Sequence, residues 1–119
     1  MMNMFQSGPS VGRIAPAEAI AQVADGTLTL VDIRDPAERS MTGVARGAVA
    51  IPLSTFQMKA DPRSPEHHAD LKADKPVALY CASGARSQMA AQAMLRMGYS
   101  EVYNLGGLHD WTRAGGALD

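Results

Sequence analysis

Apolar positions recur with two different rhythms along this chain, one helical and one strand-like. From Pro16 to Ala24 they place Ala19, Ile20 and Val23 on one helical face. A proline suits the first turn, and Asp25-Gly26 closes the helix. Thr27-Leu28-Thr29-Leu30-Val31-Asp32-Ile33-Arg34 then reads as a strand whose far end turns polar. Asp35-Pro36 opens one or two helical turns, Pro36 to Met41, ahead of Gly43. Ala48 to Leu53 is a short apolar strand with Pro52 near its end, where a ladder donor can be spared. Ser54 is expected to cap a short helix, Ala60 to Pro65 with its two prolines to be loop, and Glu66 to Ala73 to be a polar helix before the turn Asp74-Lys75-Pro76.

Val77-Ala78-Leu79-Tyr80 is apolar throughout, as befits a central strand covered on both faces. The clearest helix runs from Ser87 to Met97: Ala90, Met94 and Met97 recur at i, i+4 and i+7 with Ala93 beside them, and Gly98 stops it. Met89, Met94 and Met97 read as core filling on that helix. Glu101 to Leu105 is a further strand, followed by Gly106-Gly107 and a short helix around Trp111, a packing residue. Strands alternating with helices predict an α/β fold: a central parallel sheet of about five strands, flanked by helices on both faces through right-handed crossovers. The domain is expected over 13–119, behind a loose Gly/Pro/Ser-containing arm over 1–12.

Composition narrows the classes of function. The 119 residues suit one domain, and 46% hydrophobic against 19% charged is an ordinary globular balance. Eleven Lys+Arg against twelve Asp+Glu give a net charge of −1, leaving no basic field for nucleic acid and no polybasic membrane anchor. No apolar run approaches a membrane span, and the N-terminus lacks the pattern of a signal peptide. The lone cysteine, Cys81, excludes an intramolecular disulfide and a multi-cysteine metal site, and it points to a reducing, cytoplasmic setting. His67 and His68 are adjacent and do not share a helix face, so they read as no metal pair; His109 reads as solvent-facing. Tyr80 and Tyr99 read as packing residues with a wet hydroxyl.

The chemistry gathers in Tyr80-Cys81-Ala82-Ser83-Gly84-Ala85-Arg86-Ser87, which joins the most apolar strand to the clearest helix. Ligands in open parallel sheets bind at the carboxyl ends of strands. A loop of small residues, with Gly84 free to take positive φ, lets several backbone N–H groups converge. The helix adds its positive end and Arg86 a full charge. A cysteine beside such a cradle is acidified. The loop therefore pairs a nucleophilic thiolate with an anion pocket, although a small buried hydrophobe is the plainer reading of Cys81 by position alone. Ala82, Ser83 and Ala85 imply an open pocket with no strong charge beyond Arg86. Asp32 and Arg34, at a strand end, are candidates to line it, with a structural ion pair as the competing reading.

Cys81-Ala82-Ser83-Gly84-Ala85-Arg86-Ser87 resembles the active-site loop of rhodanese-like sulfurtransferases. The resemblance extends upstream through Leu30-Val31-Asp32-Ile33-Arg34-Asp35, Glu38, Gly43, Gly47-Ala48 and Ile51-Pro52-Leu53. Downstream it takes in Gly98-Tyr99, Val102-Tyr103-Asn104-Leu105, Gly106-Gly107 and Trp111. The chain departs from it at Gly43-Val44-Ala45-Arg46-Gly47-Ala48, where the family commonly has a histidine and a proline. The resemblance implies that Cys81 takes the outer sulfur from a small anionic donor such as thiosulfate and passes it, as a persulfide, to cyanide, a thiol or a protein. It implies that the amides of Ala82 to Ser87 steady the persulfide, that Arg86 holds the donor, and that the Ser83 and Ser87 hydroxyls assist. It calls for no metal or organic cofactor. Two other readings remain. Phosphatases of the cell-cycle dual-specificity type resemble this fold but carry five residues between cysteine and arginine, where this chain has four. A non-catalytic rhodanese-like module for regulation or partner binding is the other.

Overall fold

The computed structural model describes residues 10–119. The elements, in chain order, are β1 (Gly12–Arg13), α1 (Pro16–Asp25), β2 (Thr29–Asp32), α2 (Pro36–Thr42), β3 (Val49–Ala50), α3 (Leu53–Ala60), β4 (Val77–Cys81), α4 (Ala85–Arg96), β5 (Val102–Gly107) and α5 (Leu108–Arg113). The five strands form one sheet in the order β1-β5-β4-β2-β3, and every pairing is parallel. The α/β class and the sheet with helices on both faces are as the sequence predicts.

Alternation along the strands builds two cores. Val31 of β2 and Val77, Leu79 and Cys81 of β4 face Phe56 and Ala60 of α3 and Ala90, Ala91 and Met94 of α4. Leu30, Ala78 and Tyr80 point the other way, toward Ala19 of α1 and Trp111 of α5. With both faces covered, β4 is buried at every position, which explains its unbroken apolar run.

Several local expectations change. The predicted arm over 1–12 falls mainly outside the described residues, but Gly12 already pairs with Tyr103, so the sheet begins one residue earlier than the boundary drawn from sequence. The strand read over Thr27–Arg34 is laddered over Thr29–Asp32, and the strand read over Ala48–Leu53 contributes only Val49–Ala50. Pro52, not Ser54, precedes the first turn of α3, because its fixed φ with extended ψ already sets the helix entry. Glu66 to Ala73 is a series of turns: His67 N donates to Ser64 O, Leu71 N to His68 O, and Asp70 N to His68 Nδ1. Ala69, Leu71 and Ala73 alternate and make no helical stripe; Leu71 alone of that segment is fully buried. Met94 is buried as predicted, whereas Met89 is 64% exposed on the opposite face of α4. Neither tyrosine hydroxyl is wet: Tyr99 donates to Ala60 O at 2.6 Å and Tyr80 to Asp32 Oδ2 at 2.6 Å. No helix among the described residues is long and apolar enough to cross a membrane.

Candidate active site

Cys81 ends β4, beside Gly107 of β5. The chain leaves β2 toward β3 on one side and leaves β4 toward β5 on the other. The carboxyl ends of β2 and β4 therefore flank a topological switch point, the place where open parallel sheets bind ligands. Ala82-Ser83-Gly84 turns there into α4. Gly84 makes the turn with φ 102°, a conformation that side chains disfavour, and its N–H points back to Cys81 Sγ at 3.0 Å. A side chain at Gly107 would overlap the Ala82 carbonyl, so the loop rests directly on β5. The turn also starts α4 at Ala85, two residues ahead of the helix read from sequence, and this puts Arg86 in its first turn.

Burial pushes the Cys81 thiol up, but the Ser87 hydroxyl and the amides of Ser87, Gly84 and Ser83 more than offset it and hold the thiol below its ordinary value. Ser87 is itself fully buried. Its Oγ lies 3.5 Å from Cys81 Sγ and donates to Asn104 Oδ1 at 2.7 Å. Asn104 uses its whole amide: Oδ1 also accepts Gly106 N–H, and Nδ2 donates to Gly84 O and Gln88 Oε1, each at 3.0 Å. Ser83 is exposed and offers its amide, not its hydroxyl, to the sulfur. This arrangement can lower the charging cost of a sulfur at position 81 and cradle a further sulfur carried on it.

Comparison with known sequences places this geometry. The sequence model of the rhodanese-like domain matches residues 15–114. The chain belongs to the rhodanese-like family. A protein of Allochromatium vinosum named sulfurtransferase is 33% identical over 116 residues, 97% of this chain and 92% of its own length. The uncharacterised protein YqhL of Bacillus subtilis is 39% identical over 83 residues, 69% of this chain; the match spans 59% of YqhL. Among solved structures, a Rhodopseudomonas palustris protein of unknown function, described as a possible tyrosine phosphatase, superposes with a TM-score of 0.80 at 33% identity, covering 92% of this chain and 85% of that one.

The rhodanese-like site differs from its sequence reading in three respects. Cys81 has no exposed surface, while Ala82, Ser83 and Ala85 of the loop after it are exposed. Arg86 is already engaged: Nη1 and Nη2 meet Glu38 Oε1 and Oε2, each at 2.8 Å. The pocket therefore holds a carboxylate besides Arg86. Asp32 and Arg34 are buried in a mutual ion pair at 2.8 Å and do not line the mouth. Arg34 also donates to Thr42 Oγ1 and Gly43 O, and Asp32 accepts from Tyr80. The Ala45 amide, in the segment that departs from the family pattern, donates to the Tyr80 hydroxyl at 3.0 Å and completes this network.

Two rhodanese-like site residues went without a role in the sequence. Asn104 had a signal, since an asparagine amid apolar strand residues is disfavoured unless its amide is used. Glu38 had only its place in the family pattern.

Proposed function

We propose that this rhodanese-like domain transfers a sulfane sulfur from thiosulfate or a persulfide donor to a thiophilic acceptor through a persulfide on Cys81. The observation that carries this reading is the Gly84 amide at 3.0 Å from Sγ, within a loop that sets four residues between Cys81 and Arg86. A ring that small suits a sulfur atom better than a phosphoryl group with three oxygens. The Cys81 thiolate attacks the outer sulfur of the donor, a new S–S bond forms, and the old one breaks with its electron pair leaving on sulfite from thiosulfate or on a thiolate from a persulfide. The amides of the Ala82–Ser87 loop hold the charge of the persulfide. Cyanide, a thiol or a protein thiol then attacks the terminal sulfur and releases the Cys81 thiolate. A single reduced thiol suits this cycle in a cytoplasmic setting.

The burial of Cys81 favours a second reading, a rhodanese-like module that binds a partner without turnover. Intact mass separates the two. Incubation with thiosulfate is expected to add one sulfur atom to the native protein, cyanide to remove it, and Cys81→Ser to prevent it. No gain with thiosulfate or a persulfide, in a folded protein, would transfer the weight to the binding module.

A further inference from the structure

The crevice between β2 and β4 is spanned by one ion pair. Glu38 reaches into it from the first turn of α2 and Arg86 from the first turn of α4. Both terminal nitrogens of Arg86 are occupied, each by one Glu38 oxygen at 2.8 Å, and Oε1 also accepts the Asp35 amide at 3.0 Å. Fork-to-fork pairing is the geometry by which arginine grips an oxyanion, so an incoming donor meets a guanidinium already holding a carboxylate of its own chain. Of the other nearby cations, Arg34 is committed to Asp32, and Arg39 Nη1 is tied to the Arg34 carbonyl at 2.6 Å, a neutral acceptor that fixes its place and leaves its charge. Asp35 adds a second carboxylate within electrostatic reach of Arg86. None of the residues of α2 is buried, so polar contacts to Arg34 and Arg86 keep the helix, and Glu38 with it, at the crevice.

We propose that Glu38 sets donor specificity by charge: as resident counter-ion of Arg86, it disfavours compact dianions such as thiosulfate and leaves the site to sulfane donors carrying a single negative charge, thiosulfonates and persulfides. This rests on the sulfur-transfer reading and names its substrate class. The chemistry is the same for either donor. Sγ bonds to the outer sulfur, the donor S–S bond breaks, and the electron pair departs on sulfite from thiosulfate, on a sulfinate from a thiosulfonate or on a thiolate from a persulfide. Only the charge brought toward Glu38, Asp35 and the thiolate differs. Because Coulomb energy is linear in ligand charge, the logarithm of the effect on a dianion is about twice that on a monoanion.

The test measures the second-order rate of persulfide formation, by quenched intact mass, with thiosulfate and with methanethiosulfonate. Glu38→Gln is expected to speed loading by thiosulfate about tenfold and by methanethiosulfonate about threefold. In the native protein, added salt is expected to speed thiosulfate loading by screening the repulsion. Equal changes with the two donors, or slower loading with both, would make Glu38 an anchor for Arg86 and overturn the proposal alone. A native rate with thiosulfate that falls with salt would overturn it without any substitution. No persulfide with either donor, in native protein and variant alike, would overturn the sulfur-transfer reading together with the proposal.

Discussion

The Ser87 hydroxyl donates to Asn104 Oδ1 across 2.7 Å, which turns its lone pairs toward Cys81 Sγ at 3.5 Å. A hydroxyl has one proton to give. While the bond to Asn104 holds, Ser87 can accept from the thiol; once the thiolate forms, its proton can swing to sulfur, and Asn104 Oδ1 keeps the Gly106 amide. Asn104 thus acts on the cysteine through Ser87, as a positioning residue.

Ser87→Ala is expected to raise the Cys81 pKa, because the hydroxyl is the largest of the contributions that lower it. The amides of residue 87, Gly84 and Ser83 remain and continue to oppose the effect of burial. Thiolate ultraviolet absorbance followed against pH, with Cys81→Ser as blank, measures the shift; an unchanged or lowered value would remove Ser87 from this role.

Asn104→Ala leaves the Ser87 hydroxyl and the Gly106 amide short of a partner, while the Gly84 carbonyl keeps the Gln88 amide. A loss of about 1–3 kcal/mol in urea unfolding is expected, the usual cost of stranding a buried polar group. A cost near zero would mean that water or a neighbour replaces the amide.

Arg34→Met strands a fully buried Asp32. Breaking one side of a buried pair typically costs about 3–5 kcal/mol, whereas replacing both sides with apolar groups is far milder. Arg34→Met alone is therefore expected to destabilise the fold more than Arg34→Met combined with Asp32→Leu. The reverse order in urea unfolding would show that Asp32 is held by Tyr80 and the backbone instead.

Glu38 gives stability a specific pH dependence. The Arg86 side chain, and then the Asp35 amide, hold its carboxyl down from 4.5 to about 2. A depressed folded-state pKa stabilises above the ordinary carboxylate value and loses that contribution as pH falls toward the folded value. The side chain is a third exposed, so screening limits the contribution to about 1 kcal/mol or less. The stability gap between native protein and Glu38→Gln should accordingly be widest at neutral pH and close between about pH 4.5 and 2. A gap independent of pH would mean that glutamine disturbs something other than the charge.

The parallel sheet, the helix after Cys81 and the tight turn between them were legible because each is written in a local pattern: an unbroken apolar strand, a helical stripe, a run of small residues. Glu66 to Ala73 misled because polarity and a lack of glycine allow a helix, while only the placement of Leu71 in the core shows that turns are required. Met89 misled because apolar character alone does not say which side of α4 faces the sheet. The pairing of Glu38 with Arg86 joins residues 48 apart in sequence, and no local rule brings them together. It depends on β2 and β4 being neighbours whose connections diverge.

The register of β5 against β4 slips once: Leu79 pairs with Asn104, but Tyr80 pairs with Gly106, so Leu105 has no direct opposite. That extra residue brings Gly107 beside Cys81 while Asn104 stays level with Leu79. The loop over the cysteine thus depends on the count of residues in β5 as well as on their kinds. Inserting a residue between Asn104 and Gly107 would widen the slip and carry either Gly107 from under the Ala82 carbonyl or Asn104 away from Ser87, and removing Leu105 would close the slip at the cost of a buried core side chain. Changes of length in this strand should therefore be less tolerated than a change of side chain at Tyr103, its one half-buried position.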